Sequence, residues 1–190
     1  MIETIIKKEP IMRQTLTVPF HGRLHLPLLC NERGLTGVAV EIGTYLGLYA
    51  AEFLARWKGE RLVTVDDYRG DTEIRGDRDT QRKEAVERLA FFGARAQMLM
   101  SGSVEAAAGF PEESVDFIHI DGGHDYESCR KDIEAWWPKM RRGSIFTGHD
   151  YCGFFHGVID SVHEHAARLK LPVYVIREHS GHNTWMIEVP

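Results

Sequence analysis

Val38-Ala-Val-Glu-Ile-Gly-Thr-Tyr-Leu-Gly47 is the stretch on which the fold turns. Its first half, Val38 to Ile42, is a short apolar run interrupted only by Glu41 and closed by Gly43, the pattern of a buried strand. Leu46, Ala50, Phe53, Leu54 and Trp57 then recur with helical spacing, and Gly59 supplies a stop. Gly43 and Gly47 therefore flank a strand-to-helix turn. Small residues there let the backbone approach a ligand, and the helix that follows offers free N–H groups. A dinucleotide site carries G-x-G-x-x-G with an acid about 20 residues on. This turn lacks that pattern, and alone it suits a packing turn as well as a binding one.

Working outward, Leu62-Val-Thr-Val65 reads as a second strand ending at Asp66-Asp67. Residues 69–80 are polar and charged and read as a loop. Val86, Leu89 and Ala90 mark a helix face, and Gln97-Met-Leu-Met100 a third strand. Val115-Asp-Phe-Ile-His-Ile120 is the fourth, ending at Asp121. Tyr126, Cys129, Ile133 and Trp136 space as a helix, punctuated by Pro138 and Gly143. Ser144-Ile-Phe-Thr147 is the fifth strand and runs into Gly148-His149-Asp150. Phe155, Ile159, Val162, Ala166 and Leu169 form another helical stripe, which leaves His163 and His165 on a polar side. Val173–Ile176 and Thr184–Val189 are joined by the short turn Ser180-Gly-His-Asn183, so they run antiparallel.

The alternation predicts an α/β fold: a Rossmann-like, doubly wound, seven-stranded sheet, mainly parallel with an antiparallel last strand. The chain is expected to be a single domain over 1–190, with 1–35 as an N-terminal cover segment and 36–190 as the core. Leu24, Leu26, Leu28 and Leu29 are expected at the core edge, and Pro27 limits any helix there. Ligands in such sheets bind beyond the carboxyl ends of the strands. That rule gathers Glu41, Asp66, Asp121, His149 and Asp150 onto one rim.

A net charge of -5 and a pI near 6.1 argue against a large basic footprint, so no nucleic-acid partner is expected. The three cysteines are odd in number and irregularly spaced, which fits a reducing compartment. The first residues include an acid and lack a long apolar run, and no stretch approaches the ~18 apolar residues of a membrane span. A cytoplasmic protein with no membrane partner is the expectation. With 190 residues there is little added substrate domain, so a homo-oligomer could help close the site.

Glu41-Ile-Gly-Thr-Tyr-Leu-Gly47, with strand-end features following in order to the C-terminus, resembles the first motif of class I S-adenosylmethionine-dependent methyltransferases. The resemblance implies that the segment holding Glu41, Gly43, Thr44, Tyr45 and Gly47 lies at the methionine part of the cofactor. Asp66 would hold the ribose hydroxyls, with Asp67 as the competing residue, and Ser103 would lie near the adenine. A carboxylate suits a diol because it accepts two hydrogen bonds. Asp121 would face the cofactor as well.

Ile120-Asp-Gly-Gly-His-Asp-Tyr-Glu-Ser128, together with Gly148-His-Asp-Tyr151, resembles the branch containing macrolide sugar O-methyltransferases and, more loosely, catechol-type O-methyltransferases. That resemblance implies a divalent metal held by Asp121 and Asp150, with His124 as general base. His149 stands where the branch has an acid or amide, which puts magnesium in doubt more than metal binding. Two carboxylates and an imidazole (Asp121, Asp150, His149) suit Mn, Fe, Zn or Ni better than an all-oxygen site would. Asp121 could instead contact only the cofactor, and His149 only a loop; His156 could be a further ligand. His119 reads as packed or paired inside its strand, and His182 as part of the last turn. The expected activity is metal-assisted O-methylation of a small-molecule or sugar hydroxyl. The rivals are a nicotinamide-dependent oxidoreductase and a non-catalytic domain that binds S-adenosylmethionine.

Overall fold

The computed structural model describes residues 15–17, 22–69 and 76–190. Strand β2 (Val38–Ile42) sits inside the sheet, which is why its sequence is nearly all apolar. Val40 and Ile42 point into one hydrophobic cluster and Ala39 into the other, on the opposite face. The remaining strands are β1 (Thr15–Thr17), β3 (Arg61–Val65), β4 (Ala96–Leu99), β5 (Val115–Ile120), β6 (Met140–Tyr151), β7 (Val173–Ile176) and β8 (Asn183–Glu188). Seven of them stand in the order β4-β3-β2-β5-β6-β8-β7, and β1 adds three residues beside β7. All pairings are parallel except those of β8, which runs antiparallel to both β6 and β7. The seven-stranded, mainly parallel sheet read from the sequence is thus the observed one; β1 lies in the N-terminal stretch that carried no strand signal.

Helices cover both faces. On one, α4 (Ser103–Ala107), α5 (Tyr126–Trp136) and α6 (His156–Leu169) pack on Val63, Ile118, Phe146 and Trp185. On the other, α1 (Leu26–Glu32), α2 (Leu48–Arg56) and α3 (Arg78–Ala90) pack on Leu62, Phe117 and Met186. Pro27 is accommodated in the first turn of α1, where its missing N–H costs nothing. No helix among the described residues is long and apolar enough to cross a membrane.

Three local expectations are corrected. Residues 78–80 belong to α3 rather than to the polar loop, because the Asp77 carboxylate accepts the Thr80 N–H and caps the helix there. Residues 70–75 of that loop lie outside the described residues. The early start sets the inward stripe of α3 at Gln81, Ala85 and Leu89, and Val86 is exposed. On α6 the stripe runs through Val158, Val162, His165 and Ala166, so His163 and His165 are buried rather than on a polar side.

Candidate functional site

The strand order reverses between β3 and β5 around β2, and an open crevice lies at that switch point. The crevice encloses about 490 Å³, within the range of small-molecule sites. The turn after β2 forms one side of it. Gly43 has φ +87°, and a Cβ there would stand 2.0 Å from the Asp121 carbonyl oxygen, so only glycine lets β2 and β5 close at this point. Asp66 Oδ2 accepts the N–H groups of Thr44 and Tyr45, each at 3.0 Å, and Oδ1 accepts that of Tyr68 at 2.8 Å. Asp66 thereby holds the turn in shape.

Glu41 holds it from beneath. Its carboxyl accepts the Ala50 N–H in the first turn of α2, where Gly47 offers no capping side chain. Burial, reinforced by the charge of Asp121, raises its pKa well above the usual carboxylate range.

The sequence-predicted residues therefore divide. Gly43, Tyr45, Asp66, Asp67, Ser103, Asp121 and His124 line the crevice. Glu41 and Thr44 are buried outside its lining, and Gly47 packs against Ala85 and Leu89 of α3. Ser103 Oγ accepts the Trp136 indole N–H at 2.9 Å and bonds the carboxyl of Asp132. Asp132 lines the same end, and burial pushes its pKa up to about 6. Five aspartates (66, 67, 121, 125 and 132) and Arg78 are the Asp, Glu, Lys and Arg side chains of this lining among the described residues. Such a wall attracts a cationic ligand and opposes a pyrophosphate.

Beside the crevice the ends of β5 and β6 bring a second group together. His124 Nε2 lies 2.8 Å from Asp150 Oδ2, and His182 Nδ1 lies 2.7 Å from Asp150 Oδ1. His149 Nδ1 stands 3.4 Å from Asp150 Oδ1 and 3.7 Å from Asp121 Oδ1. Burial alone would raise the Asp150 pKa, but hydrogen bonds from His124, His149 and His182 overcome it and hold the acid well below the ordinary range. A pocket of about 10 Å³, room for one water-sized species, is lined by Asp121, His124, His149 and Asp150. Ligand-capable atoms of Asp121, His124 and Asp150 all lie within 4.8 Å of one another. This mixed oxygen and nitrogen set fits a divalent transition metal. Among the described residues the imidazole grouped with Asp121 and Asp150 is that of His124, expected as the base, whereas His149, expected as the ligand, lies beside both acids without joining that group. His156 is exposed and lines neither cavity.

Sequence reasoning missed four participants. His182 and Glu178 sit on the turn between β7 and β8, and Tyr151 pairs with Asn183 across the sheet, which puts that turn beside Asp150. The antiparallel hairpin was the available signal, since its turn had to fall on the binding rim. Arg23, whose Nη1 reaches Asp121 Oδ2 at 2.9 Å, gave none. Asp132 was hidden within a helical stripe.

Comparisons with known proteins fit this geometry. A family model described as a methyltransferase domain matches residues 40–151. Protein y4gI of Sinorhizobium fredii, described as uncharacterized, is 27% identical over 115 residues, which is 58% of this chain but only 13% of that protein. The O-methyltransferase from Bacillus cereus, solved with S-adenosylhomocysteine, superposes with a TM-score of 0.65 at 19% identity, covering 88% of this chain and 80% of that one. The O-methyltransferase TomG from Streptomyces achromogenes, solved with S-adenosylmethionine, gives 0.63 at 16% identity, covering 88% and 79%. At these identities the likeness is one of fold.

Proposed function

The chain belongs to the methyltransferase-domain family whose model covers residues 40–151, and on that premise we propose that it transfers the methyl group of S-adenosylmethionine to a hydroxyl of a small molecule such as a sugar. The observation that carries this reading is the aspartate-walled crevice of about 490 Å³ whose lining ends at the His124–Asp150 pair. S-adenosylmethionine bears a sulfonium and an ammonium against one carboxylate, so a net cation meets an acidic wall. A nicotinamide dinucleotide would bring a pyrophosphate to the same wall, which disfavours the oxidoreductase reading.

Within this reading Gly43 and Tyr45 lie along the methionine portion, Asp66 or Asp67 takes the ribose hydroxyls, and Ser103 lies at the adenine. The acceptor oxygen attacks the methyl carbon as the carbon–sulfur bond breaks. The electron pair stays on sulfur, which becomes neutral. The hydroxyl proton passes to His124. Asp150 serves that step by accepting a hydrogen bond from Nε2–H, which orients the ring and stabilises its cationic form, the logic of a carboxylate behind a histidine base. Alignment of acceptor and methyl carbon contributes about 7–11 kcal/mol when the geometry is near attack. Asp121, Asp150 and an imidazole of His149 or His124 would hold a divalent ion, which supplies Lewis acidity to a hydroxyl. His124 cannot serve as ligand and base through one lone pair, so a bound ion that leaves His124 as base would take His149.

Calorimetry with S-adenosylmethionine and NADH tests the cofactor, followed by transfer of labelled methyl to a pool of hydroxylated acceptors. Binding of S-adenosylmethionine without NADH, then labelled product, is expected. Tighter NADH binding overturns the reading. Cofactor binding without transfer to any hydroxyl would favour a non-catalytic domain.

A further inference from the structure

Arg23 precedes α1, yet its side chain reaches the carboxyl end of β5. Nη1 donates to Asp121 Oδ2 at 2.9 Å and lies 3.4 Å from His119 Nε2. The single hydroxyl proton of Thr147 goes to the Ile118 carbonyl, 2.6 Å away. The 3.0 Å contact between His119 Nδ1 and Thr147 Oγ1 therefore requires the proton on Nδ1. Nε2 is left with its lone pair facing the guanidinium. The guanidinium also stands 4.7 Å from the centre of the Tyr49 ring, and the Arg23 backbone N–H donates to Glu178 Oε1 at 3.2 Å. Strand core, imidazole, guanidinium and carboxylate thus form one chain of donors and acceptors that ends on Asp121.

We propose that Arg23 is the resident counter-cation of Asp121: it occupies Oδ2, leaves Oδ1 to a divalent ion, and opposes that ion's binding by its charge. The inference rests on the reading that Asp121, Asp150 and a histidine take such an ion. Asp121 Oδ1 is the oxygen that faces His149, so a ligand direction remains open on that side. Arg23 is then a positioning residue that makes Asp121 monodentate. Monodentate carboxylates with imidazole favour transition-metal dications, of which Mn²⁺ is one, over Ca²⁺, which prefers more oxygens and bidentate acids.

The test is Mn²⁺ binding to the full chain by calorimetry, in the wild type and in Arg23→Gln, Arg23→Met and Arg23→Lys. Arg23→Met keeps an apolar stem over Tyr49 should the Gln variant fold poorly. Loss of the charge is expected to tighten Mn²⁺ about tenfold in Gln and Met, with Lys close to wild type. Equal or weaker binding in both neutral variants, or no Mn²⁺ binding by any form, overturns the proposal. S-adenosylmethionine binding to the wild type is read separately: its absence would sink the methyltransferase reading and leave the Mn²⁺ comparison standing.

Discussion

Asp150 Oδ2 takes His124 Nε2 at 2.8 Å from a backbone held at φ +55°. That left-handed conformation is uncommon for a residue with a side chain. It occurs where the β6–β8 register shifts between Gly148 and Tyr151, an irregularity that re-aims the side chain. Backbone strain of this kind clusters at functional sites, and here it falls on a residue bonded to His124 and His182. His124→Ala should lower kcat by ~10²–10⁴-fold with the S-adenosylmethionine Kd unchanged. Asp150→Asn, whose asparagine tolerates the same backbone, should lower it by roughly 10–100-fold. Single-turnover methyl transfer reads both, and full turnover by His124→Ala would remove the base.

Gly43→Ala should be among the most damaging single substitutions in the chain. The added carbon meets backbone, the Asp121 carbonyl at 2.0 Å, at a φ of +87°. Gly181 has a similar φ of +80° but nothing within 4 Å, so Gly181→Ala isolates the cost of backbone strain, about 1 kcal/mol. Thermal unfolding should place Gly43→Ala several degrees or more below Gly181→Ala. Equal midpoints would mean that the strands give way at Asp121.

The sheet was legible because its central strands are buried on both faces and so read as mostly apolar runs. Val38–Ile42 and Val115–Ile120 carry that signal, and the acids that end them follow from the rule about carboxyl ends. Roles were less legible than places. Asp66, which the resemblance puts at the ribose, lines the crevice and also accepts two bonds from the turn it supports, at Thr44 and Tyr45, which its strand-end position did not announce. Glu41 looked like a rim acid, yet it caps α2. A sequence does not show which way a strand-end side chain turns. Arg23 and His182 arrive from a poorly patterned segment and from a hairpin turn, where no periodicity exists to aim a residue.

Asp132 should make stability fall as pH rises. Its folded pKa lies near 6, against about 3.9 unfolded, chiefly because burial disfavours the charge. Below about pH 4 both states hold the proton, and the group exerts no pull. Between about 4 and 6 the unfolded chain releases a proton that the folded chain keeps, so stability is lost through that window. Asp132→Asn should therefore gain on the wild type by roughly 1–3 kcal/mol at pH 7.5 and lose that advantage near pH 4. Urea unfolding at several pH values measures the gap. A gap independent of pH would mean that the carboxyl ionises freely in the fold.

His165 should act from the other side. It packs edge-on to Trp137 with ring centres 4.6 Å apart, and its Nδ1 accepts from Arg168 at 2.9 Å. Burial first, and then the Arg168 charge, hold its pKa down at about 4, against about 6.5 for an exposed imidazole. Above pH 6.5 neither state is charged and the residue costs nothing. As pH falls from about 6.5 to about 4, the unfolded chain takes up a proton that the folded chain refuses, and stability drops by up to about 3 kcal/mol. His165→Phe keeps a ring against Trp137 and removes the titration. Its stability should depend less on pH across this window than the wild type's, whatever the absolute values. Parallel curves for the two proteins between pH 4 and 6.5 would show that His165 is protonated inside the fold.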